Sequence, residues 1–399
     1  MKPMGRIPPE WLAPGALDAA EDWVAQAGGT PLFVYDARIV AARVARLRAA
    51  LPAGVGVHYA VKANPFPPLL GAIASLVDGL DVASAGELEK ALAAKPGAAI
   101  SFAGPGKRDF ELEVAIRAGA TLNLESEGEA ERALEIAERL SMAPRLAVRV
   151  NPDFELRGSG MKMGGRPSPF GVDTARVPAL VKRLIAAGAD WRGFHIFAGS
   201  QALEAAAVIE TQAATVALAA RLAEEIGVLP PLVNLGGGFG IPYFHGDAPI
   251  DVEAVGAALS ETIAALDTDY AIELGRWLVG EAGVYLARVV DRKQSQGETF
   301  LVLDGGLNHQ LAASGNFGTV VRRNYPIGVV GRLQGGGEEE VSVVGPLCTP
   351  LDRLGDHVGL PRGEPGDLIA VFLAGAYGRT ASPEAFLGHP AAHELLLNA

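Results

Sequence analysis

The sequence predicts an α/β protein in which a TIM (β/α)8 barrel is followed by a second, C-terminal β-rich domain. Between Val55 and Arg276, eight short apolar runs alternate with alanine-rich segments whose apolar residues recur at a helical period. This alternation implies parallel strands joined by crossover helices, and eight such units favour a closed barrel over an open doubly wound sheet. After Arg276, apolar runs separated by polar turns predict the β-rich domain.

The predicted elements follow one another in a regular order. The barrel strands are "GVGVHYAVKA", "GLDVASA", "AISFAG", "ATLNLES", "RLAVRVNP", "WRGFHIFAGS", "LVNLGGGFG" and "DYAIELGR". The helical segments between them include "AGELEKALAA", "EAERALEIAERL", "ARVPALVKRLIAAG" and "AAAVIETQAATVALAARLAEEIG". The later strands lie in "AGVYLARVVDRKQSQGETFLVLDGG", "YPIGVVGRL", "EEEVSVVGPLC" and "DLIAVFLAGAYG".

The chain divides into three parts on this basis. Residues 1–36 form an N-terminal segment that joins the β-domain, because "TPLFVYDARIV" precedes the first barrel strand. Residues 37–280 form the barrel, and residues 281–399 form the C-terminal β-domain.

Composition excludes several classes of protein. With 49% apolar and 20% charged residues the chain is globular, and its net charge of −12 argues against nucleic acid or an anionic membrane as the main partner. The single cysteine, Cys348, cannot form an internal disulfide, so we expect a cytoplasmic protein. The proline-rich start lacks the apolar core of a signal peptide, and we expect no membrane span.

Candidate functional residues lie at the C-terminal ends of four predicted strands. A TIM barrel forms its active site at these strand ends. Lys62 ends the first strand, where it can form a Schiff base with an aldehyde, and His195 ends the sixth. The glycines of Asn234–Gly240 follow the seventh and can approach an anion, while Glu273 and Arg276 of "ELGR" end the eighth. An arginine binds phosphate and a carboxylate keeps a ring nitrogen protonated. Together these residues describe a pyridoxal phosphate pocket.

Each of these residues, taken alone, has a structural explanation. Lys62 can extend its charge from the strand end into water. The glycines can form a tight turn, and Glu273 and Arg276 can pair with each other. A histidine or phenylalanine on a strand, such as His195 or Phe197, is more often part of the core. Their combination at successive strand ends favours the cofactor pocket.

The motifs together resemble a known family. They are "YAVKAN", "DVASAGEL", "NLES", "FGVD", "GSQ", "GGGFG", "GPLC" and "GAYG". The chain resembles the fold-type III pyridoxal-phosphate decarboxylases, the group of diaminopimelate and ornithine decarboxylases, over nearly its whole length. "GMKMGGRPSPFGVD", "DGGLNHQLAASGNFGTVVRRNYP" and "GPLCTPLD" resemble the branch with the butirosin-pathway and exosortase-associated decarboxylases.

This resemblance implies a role for particular residues. Lys62 is the Schiff-base lysine, Glu273 pairs with the pyridine nitrogen, and Asp81 lies near both. Cys348, supplied by the second subunit of a homodimer, donates a proton after carbon dioxide leaves. The resemblance assigns the cofactor phosphate and its surroundings to Ser200, Gly236, Gly237, Gly238, Gly275, Arg276 and Tyr377.

The sequence departs from the family pattern in the barrel. Leu274 replaces the proline of the usual "EPGR", but both charged residues remain. Where relatives place a histidine that stacks on the cofactor ring, alignment on "GSQ" gives Phe197, and His195 lies two residues earlier on the same strand face. Either ring is a candidate to cover the cofactor.

A further departure concerns the substrate. After the cysteine the family commonly has an acid that binds a distal ammonium, and here the residue is Thr349. A hydroxyl cannot replace an ionised carboxylate as partner of an ammonium group, so an acidic or acylated distal end fits better. The other candidates for substrate contact are Arg276, Arg322, Arg323, Tyr325 and Asp352.

The butirosin-type resemblance suggests an aminoacyl group tethered to an acyl carrier protein. Arg157, Lys162 and Arg166 could meet such an acidic partner, or they could simply solvate their loop. The alternatives are a diaminopimelate, ornithine or lysine decarboxylase, an amino-acid racemase, and a non-catalytic regulator of the same fold. Racemases of this fold place an arginine where this chain has Glu273, which favours the decarboxylase.

Overall fold

A computed structural model of the chain describes residues 1–96, 99–154, 161–162, 165, 167–315, 322–333 and 338–399. Within these residues the chain forms nineteen strands. In chain order they are β1 (Leu32–Asp36), β2 (Gly56–Ala60), β3 (Gly79–Val82), β4 (Ala99–Phe102), β5 (Thr121–Leu124), β6 (Arg145–Asn151), β7 (Met161–Lys162), β8 (Val172–Asp173), β9 (Asp190–Ile196), β10 (Gly199–Ser200), β11 (Leu232–Asn234), β12 (Asp269–Leu274), β13 (Gly283–Ser295), β14 (Glu298–Leu303), β15 (Ile327–Val329), β16 (Glu338–Val344), β17 (Arg353–Pro361), β18 (Leu368–Phe372) and β19 (His393–Leu397).

The same residues contain eleven α-helices and six short 3-10 helices. The α-helices are α1 (Pro9–Leu12), α2 (Ala20–Ala27), α3 (Ala37–Ala50), α4 (Pro67–Ala74), α5 (Ala85–Ala94), α6 (Asp109–Arg117), α7 (Glu127–Leu140), α8 (Val177–Ala186), α9 (Ala205–Ile226), α10 (Val252–Thr262) and α11 (Arg276–Val279). The 3-10 helices are Val61–Ala63, Thr174–Arg176, Ile263–Ala265, Gly280–Ala282, Arg379–Ala381 and Phe386–Gly388.

One compact unit, residues 41–240 and 249–275, contains a closed parallel barrel. Its strand order is β5-β4-β3-β2-β12-β11-β9-β6, and β5 pairs with β6 to close the ring. All eight predicted strands are present, and the closure confirms the barrel over the open sheet. Seven of the eight strands are each followed by one of the helices α4 to α10 of this unit, and the parallel strands place their C-terminal ends and the loops after them on one face.

Serines after two barrel strands fix where the next helix begins. Ser84 follows β3 and accepts the N–H of Glu87 at 3.2 Å, while the Glu87 carboxylate accepts the N–H of Ala83 at 2.8 Å. Ser126 follows β5 and accepts the N–H of Glu129 at 3.1 Å in the same way. The motifs "DVASAGEL" and "NLES" therefore contain helix N-caps, which stop the strand and start the helix at the active-site face.

The second unit, residues 1–40, 241–248 and 276–399, is built on an eight-stranded sheet. Its main path runs β15-β18-β13-β14-β16-β17. Near the start of the chain, β1 pairs antiparallel with β13 and parallel with β19. This sheet confirms the predicted β-rich second domain, whereas the predicted boundaries at 36 and 280 stay a prediction.

Helix α9 is long and apolar enough to cross a membrane by length and composition. Core helices of soluble proteins pass the same test, and α9 packs on α8 and α10 with Val216, Leu222 and Ile226 buried. The finding is therefore weak evidence for a membrane span, and the expected absence of a membrane partner stays a prediction.

Candidate active site

Lys62 lies directly after the first barrel strand. The strand β2 is buried from Val57 onward, and the chain then makes one 3-10 turn, Val61–Ala63, in which both flanking residues are buried. This turn holds the lysine at the C-terminal end of the strand with its side chain exposed. Its Nζ lies 5.7 Å from the centroid of the Phe197 ring. The amine is thus anchored by buried neighbours and open to a ligand.

Glu273, on β12, is a buried carboxylate with polar neighbours from two other strands. Its Oε2 accepts a hydrogen bond from Asn234 Nδ2 at 3.1 Å and lies 3.0 Å from His195 Nε2. Burial would raise the pKa of this carboxyl, but the His195 ring and the charges of Lys62 and Arg149 outweigh burial and lower it to about 2. Glu273 is therefore ionised at neutral pH.

His195 and Phe197, the two candidates to cover the cofactor ring, have different surroundings in the structure. His195 is 2% exposed on β9, and its Nε2 approaches Glu273. Phe197 follows the strand end and is the ring near Lys62. His195 is thus placed to orient the carboxylate and Phe197 to contact a ligand bound by the lysine.

The glycine loop after β11 passes very close to neighbouring backbone. Gly236 has φ +68° and Gly238 has φ +88°, conformations that favour glycine. A Cβ at Gly236 would overlap Ile196 O and the Phe197 ring, and a Cβ at Gly237 would overlap Glu273 O. Glycine is therefore required at these positions, and Gly237 lines a small cavity with Phe197 and Gly199.

Asp81, on β3, has no hydrogen-bond partner for either carboxylate oxygen among the described residues, although it is only 8% exposed. The ring of His58 approaches it, with Nδ1 3.5 Å from Oδ2. Burial lowers the pKa of His58, but Asp81, Glu273 and Asp78 outweigh burial and raise it. The absence of a side chain at Gly79, opposite His58 in the sheet, leaves room for this ring.

Three residues of this cluster were not predicted from the sequence: His58, Asn234 and Arg149. His58 lies within the quoted "GVHYAVKA", and its register opposite Glu273 follows only once β2 and β12 are paired. Arg149 donates to Glu125 Oε1 at 2.9 Å, and Glu125 Oε2 accepts the N–H of Gly171 at 2.8 Å. The only available signal was a charged or polar residue inside a buried strand.

Several predicted site residues lie in the second unit. The guanidinium of Arg276 stacks 4.9 Å from the centroid of the Tyr377 ring, and Tyr377 itself has φ +53°. Tyr325 is 6% exposed and packs against Tyr243, with 4.9 Å between ring centroids. Burial lowers the pKa of Arg276, but Tyr243, Tyr377 and Tyr325 outweigh burial and raise it, so Arg276 stays charged.

At the loop that contains Cys348, charged side chains form hydrogen bonds with backbone groups. The cysteine is exposed at the tip. Asp352 accepts the N–H of Leu347 at 2.8 Å, and Arg322 donates to Arg353 O at 3.0 Å. The hydroxyl of Thr349 accepts a 3.3 Å hydrogen bond from the backbone of Leu351. Asp352 and Arg322, predicted to contact substrate, thus bind the chain itself.

The remaining predicted residues are simple to place. Gly275 sits against Ala60 and Ala63, where a Cβ would overlap the Ala63 side chain. Ser200 lies on β10, which pairs antiparallel with β7. Arg157 and Arg166 lie outside the described residues, as does the side chain of Lys162. The basic surface predicted for a carrier protein therefore stays a prediction.

Comparison with known proteins decides the family. Residues 37–283 match the family described as pyridoxal-dependent decarboxylase, pyridoxal binding domain. The chain belongs to the pyridoxal-dependent decarboxylase family. A curated relative, the L-glutamyl-[BtrI acyl-carrier protein] decarboxylase of Niallia circulans, is 36% identical over 92% of this chain and 88% of its own.

Other relatives agree at lower identity. The 2-[(L-alanin-3-ylcarbamoyl)methyl]-2-hydroxybutanedioate decarboxylase of Staphylococcus aureus is 29% identical over 90% of this chain and 92% of its own. A solved diaminopimelate decarboxylase from Helicobacter pylori, in complex with L-lysine, superposes with a TM-score of 0.85 at 28% identity, covering 95% of this chain and 94% of the other. The chain is therefore a fold-type III pyridoxal-phosphate-dependent decarboxylase that acts on an amino acid, and these predictions are confirmed.

The barrel residues of this decarboxylase fit pyridoxal phosphate. The cofactor needs an amine for its aldehyde, a carboxylate for its ring nitrogen and a cradle for its phosphate. Lys62 supplies an exposed amine, and Glu273 supplies an ionised buried carboxylate. The Asp81 oxygens are unbonded among the described residues, and the half-buried Gly237 lines a small cavity beside Phe197, which is the candidate cradle for the phosphate.

Proposed function

We propose that this decarboxylase acts on an amino acid whose distal end is acylated or acidic, with an aminoacyl group on an acyl carrier protein as the leading candidate. The observation that supports the proposal is that the charged side chains Asp352 and Arg322, at the loop 345–353, are hydrogen-bonded to backbone. The carboxylate of Asp352 and the guanidinium of Arg322 both bind backbone, and Thr349 is neutral. Within loop 345–353, which the structure describes in full, no carboxylate is therefore available to pair with a free ammonium group at the distal end of a substrate.

The relatives support the same substrate class. The Niallia circulans enzyme is named for an L-glutamyl group carried on an acyl carrier protein. The Staphylococcus aureus enzyme is named for an alanine derivative whose side-chain nitrogen is acylated. In both named substrates the distal end is not a free ammonium group, which agrees with a neutral loop beside Cys348.

The barrel residues have separate tasks in this proposal. Bound pyridoxal phosphate supplies an electron sink for the pair left on Cα when carbon dioxide departs. The amine of Lys62 would hold the cofactor through its aldehyde. Glu273 keeps a proton on the cofactor ring nitrogen, and His195 and Asn234 orient its carboxylate. Phe197 covers a ring face, since it is the aromatic side chain near Lys62.

Cys348 gives the proton that completes the reaction. Its S–H bond breaks as a C–H bond forms at Cα, and the thiolate then regains a proton from water. The thiol is exposed in the single chain, and Leu351 of the same loop is 55% exposed. We propose that a second copy of the chain covers this tip, so that the enzyme is a homodimer with shared sites. Cytoplasmic location and the contacts of Ser200, Arg276 and Tyr377 with phosphate stay predictions.

A panel of substrates tests the proposal. The purified protein is supplied with pyridoxal phosphate, and carbon dioxide release is measured from lysine, ornithine, arginine, meso-diaminopimelate, glutamate and a glutamyl group on an acyl carrier protein. We expect release from the tethered group and little from the free diamino acids. Faster release from a free diamino acid than from the tethered group would contradict the proposed substrate class.

A diaminopimelate decarboxylase is the second candidate. The observation in its favour is the superposition on a solved diaminopimelate decarboxylase from m. jannaschii, with a TM-score of 0.86 and 26% identity, covering 96% of this chain and 89% of the other. The same panel decides between the two. The racemase alternative is disfavoured by the ionised Glu273, because a protonated ring nitrogen strengthens the electron sink that decarboxylation uses.

A further inference from the structure

A buried carboxylate joins the loop of Cys348 to a separate segment of the same unit. Asp352 is 3% exposed. Its Oδ2 accepts the N–H of Leu347, the residue before Cys348, at 2.8 Å. Its Oδ1 accepts the N–H of Leu307, from the segment after β14, at 2.7 Å. One side chain therefore fixes the residue next to the thiol against a part of the chain about forty positions away in sequence.

Two glycines make room for this carboxylate. A Cβ at Gly306 would overlap Asp352 Oδ1, and a Cβ at Gly345 would overlap Oδ2. Neither glycine has a positive φ, so backbone conformation does not explain them. Their lack of a side chain instead gives the carboxylate space to reach both N–H groups.

The rest of the loop closes around the same residue. The backbone N–H of Gly345 donates to Asp352 O at 3.1 Å, and the N–H of Asp352 donates to Thr349 O at 3.3 Å. From outside, Arg322 donates to Leu351 O at 3.4 Å as well as to Arg353 O. The loop is thus bound at its start, across its middle and at its end, while its tip stays exposed.

Resting on the proposed role of Cys348, we propose that Asp352 is a positioning residue, which holds the thiol where it can protonate Cα and does not itself contact the substrate. Carboxylate chemistry explains why an aspartate is used. Both oxygens of Asp352 accept a backbone N–H, whereas an asparagine of the same size has one oxygen and one NH2 group. In Asp352→Asn, one N–H of the pair would face another donor, and one of the two hydrogen bonds that the side chain accepts would be lost.

The first test does not depend on the substrate. Amide hydrogen exchange is followed for Leu307 and Leu347 in the pyridoxal-phosphate-loaded wild type, in Asp352→Asn and in Glu339→Gln. The last is a matched control, because Glu339 pairs with Arg292 elsewhere in the same sheet. We expect at least one of the two amides in Asp352→Asn to exchange about tenfold faster or more, with the control unchanged. Wild-type protection at both amides would overturn the proposal.

The second test separates positioning from a general loss of structure. The amine formed per carbon dioxide released is measured with the substrate of the panel that the wild type decarboxylates fastest. We expect this ratio to fall from about one in the wild type to below about one half in Asp352→Asn and in Cys348→Ala, because the electron pair left by carbon dioxide is then protonated at an atom other than Cα, and a carbonyl compound is released in place of the amine. The double variant should match Cys348→Ala alone, since Asp352 acts through the thiol.

The outcomes distinguish the two proposals. If Cys348→Ala keeps the wild-type ratio, the proposed proton donor is wrong, and the positioning role of Asp352 falls with it even if the amides exchange faster. If Cys348→Ala lowers the ratio but Asp352→Asn does not, the proton donor stands and the positioning role is refuted. If Asp352→Asn lowers the ratio further in the Cys348→Ala background, Asp352 acts by another route, which also contradicts the proposal.

Discussion

Glu273 in the barrel unit and Asp352 in the β-rich unit are both buried carboxylates, but their surroundings shift their pKa values in opposite directions. Burial raises the pKa of each. Around Glu273, the His195 ring and two nearby cations outweigh burial and lower the pKa to about 2. Asp352 has two backbone N–H donors, which do not outweigh burial, and its pKa is raised. In the barrel, neighbouring side chains thus keep Glu273 ionised. In the β-rich unit, Asp352 is bonded to backbone N–H groups instead.

The difference separates a carboxylate that can act on a ligand from one that shapes the chain. A carboxylate balanced by side-chain cations stays ionised and keeps acceptor capacity for a ring nitrogen. A carboxylate whose oxygens each accept a backbone N–H has its bonding capacity used within the fold. The type of partner, rather than burial, therefore indicates the role of each acid.

Among the proposed substitutions, removal of the Lys62 amine should reduce activity most. Lys62→Ala removes the only group proposed to bind the cofactor aldehyde, so we expect the absorbance of lysine-bound pyridoxal phosphate to disappear and carbon dioxide release to fall at least about a thousandfold. Lys90→Ala, which changes an exposed lysine on α5, is the control and should resemble the wild type. An unchanged spectrum in Lys62→Ala would show that another amine holds the cofactor.

The second largest effect on activity should come from removing the charge of Glu273. Glu273→Gln keeps the shape and the contact with Asn234 but cannot keep the ring nitrogen protonated. We expect kcat to fall about a hundredfold or more while the cofactor stays bound, as judged by kinetics and absorbance on the same sample. Glu339→Gln makes the same chemical change on β16 and should leave kcat unaltered. A kcat within a factor of about three of the wild type would refute the role of Glu273.

The sequence was sufficient for the barrel because each strand there has its own local signal. A run such as "GLDVASAGEL" contains an apolar strand and the serine that caps the next helix, so strand end and helix start are both visible. The β-rich unit was predicted less completely. The strands β17 (Arg353–Pro361) and β19 (His393–Leu397) were missed, because one mixes charges and glycines and the other is identified only by its parallel pairing with β1.

The site shows the same limit at the level of single side chains. Residue types and strand ends were enough to suggest Lys62 and Glu273. The neighbours of Glu273 come from strands far apart in sequence, so His58 and Asn234 could be recognised only after the barrel closes. For Asp352, the sequence gives an acid near a cysteine but not the direction of its side chain, which decides between a ligand contact and a loop anchor.

Acid unfolding should sharpen the contrast between the two carboxylates. The folded pKa of Glu273 is depressed below its usual 4.5, so its ionised form stabilises the fold above about pH 4.5 and that stability is lost as pH falls toward 2. The contribution is on the order of 3 kcal/mol. The pKa of Asp352 is raised, so its contribution is present below the unfolded pKa of 3.8 and is lost as pH rises through the folded value.

The two slopes can be measured with the Gln and Asn variants. In urea unfolding at a series of pH values, the free energy of unfolding of the wild type minus that of Glu273→Gln should shrink as pH falls. The same difference for Asp352→Asn should grow as pH falls, because the wild type then gains from protonation of Asp352. Parallel slopes for the two variants would contradict the opposite titration of these acids.

The smallest expected effect tests whether the neutral tip of the cysteine loop selects the substrate. Thr349 is half-buried, and its hydroxyl accepts a long hydrogen bond, 3.3 Å, from the Leu351 N–H, so a longer side chain disturbs little of the loop. Thr349→Glu places a carboxylate beside Cys348, where it can pair with a distal ammonium. Thr349→Gln has nearly the same shape without the charge, so the pair isolates the electrostatic part. We expect kcat/KM for lysine or diaminopimelate, relative to the tethered glutamyl group, to be about tenfold higher in the Glu variant than in the Gln variant, a difference of about 1.4 kcal/mol. Equal ratios in the two variants would mean that the distal end of the substrate does not meet this position, and that the loop selects no charge.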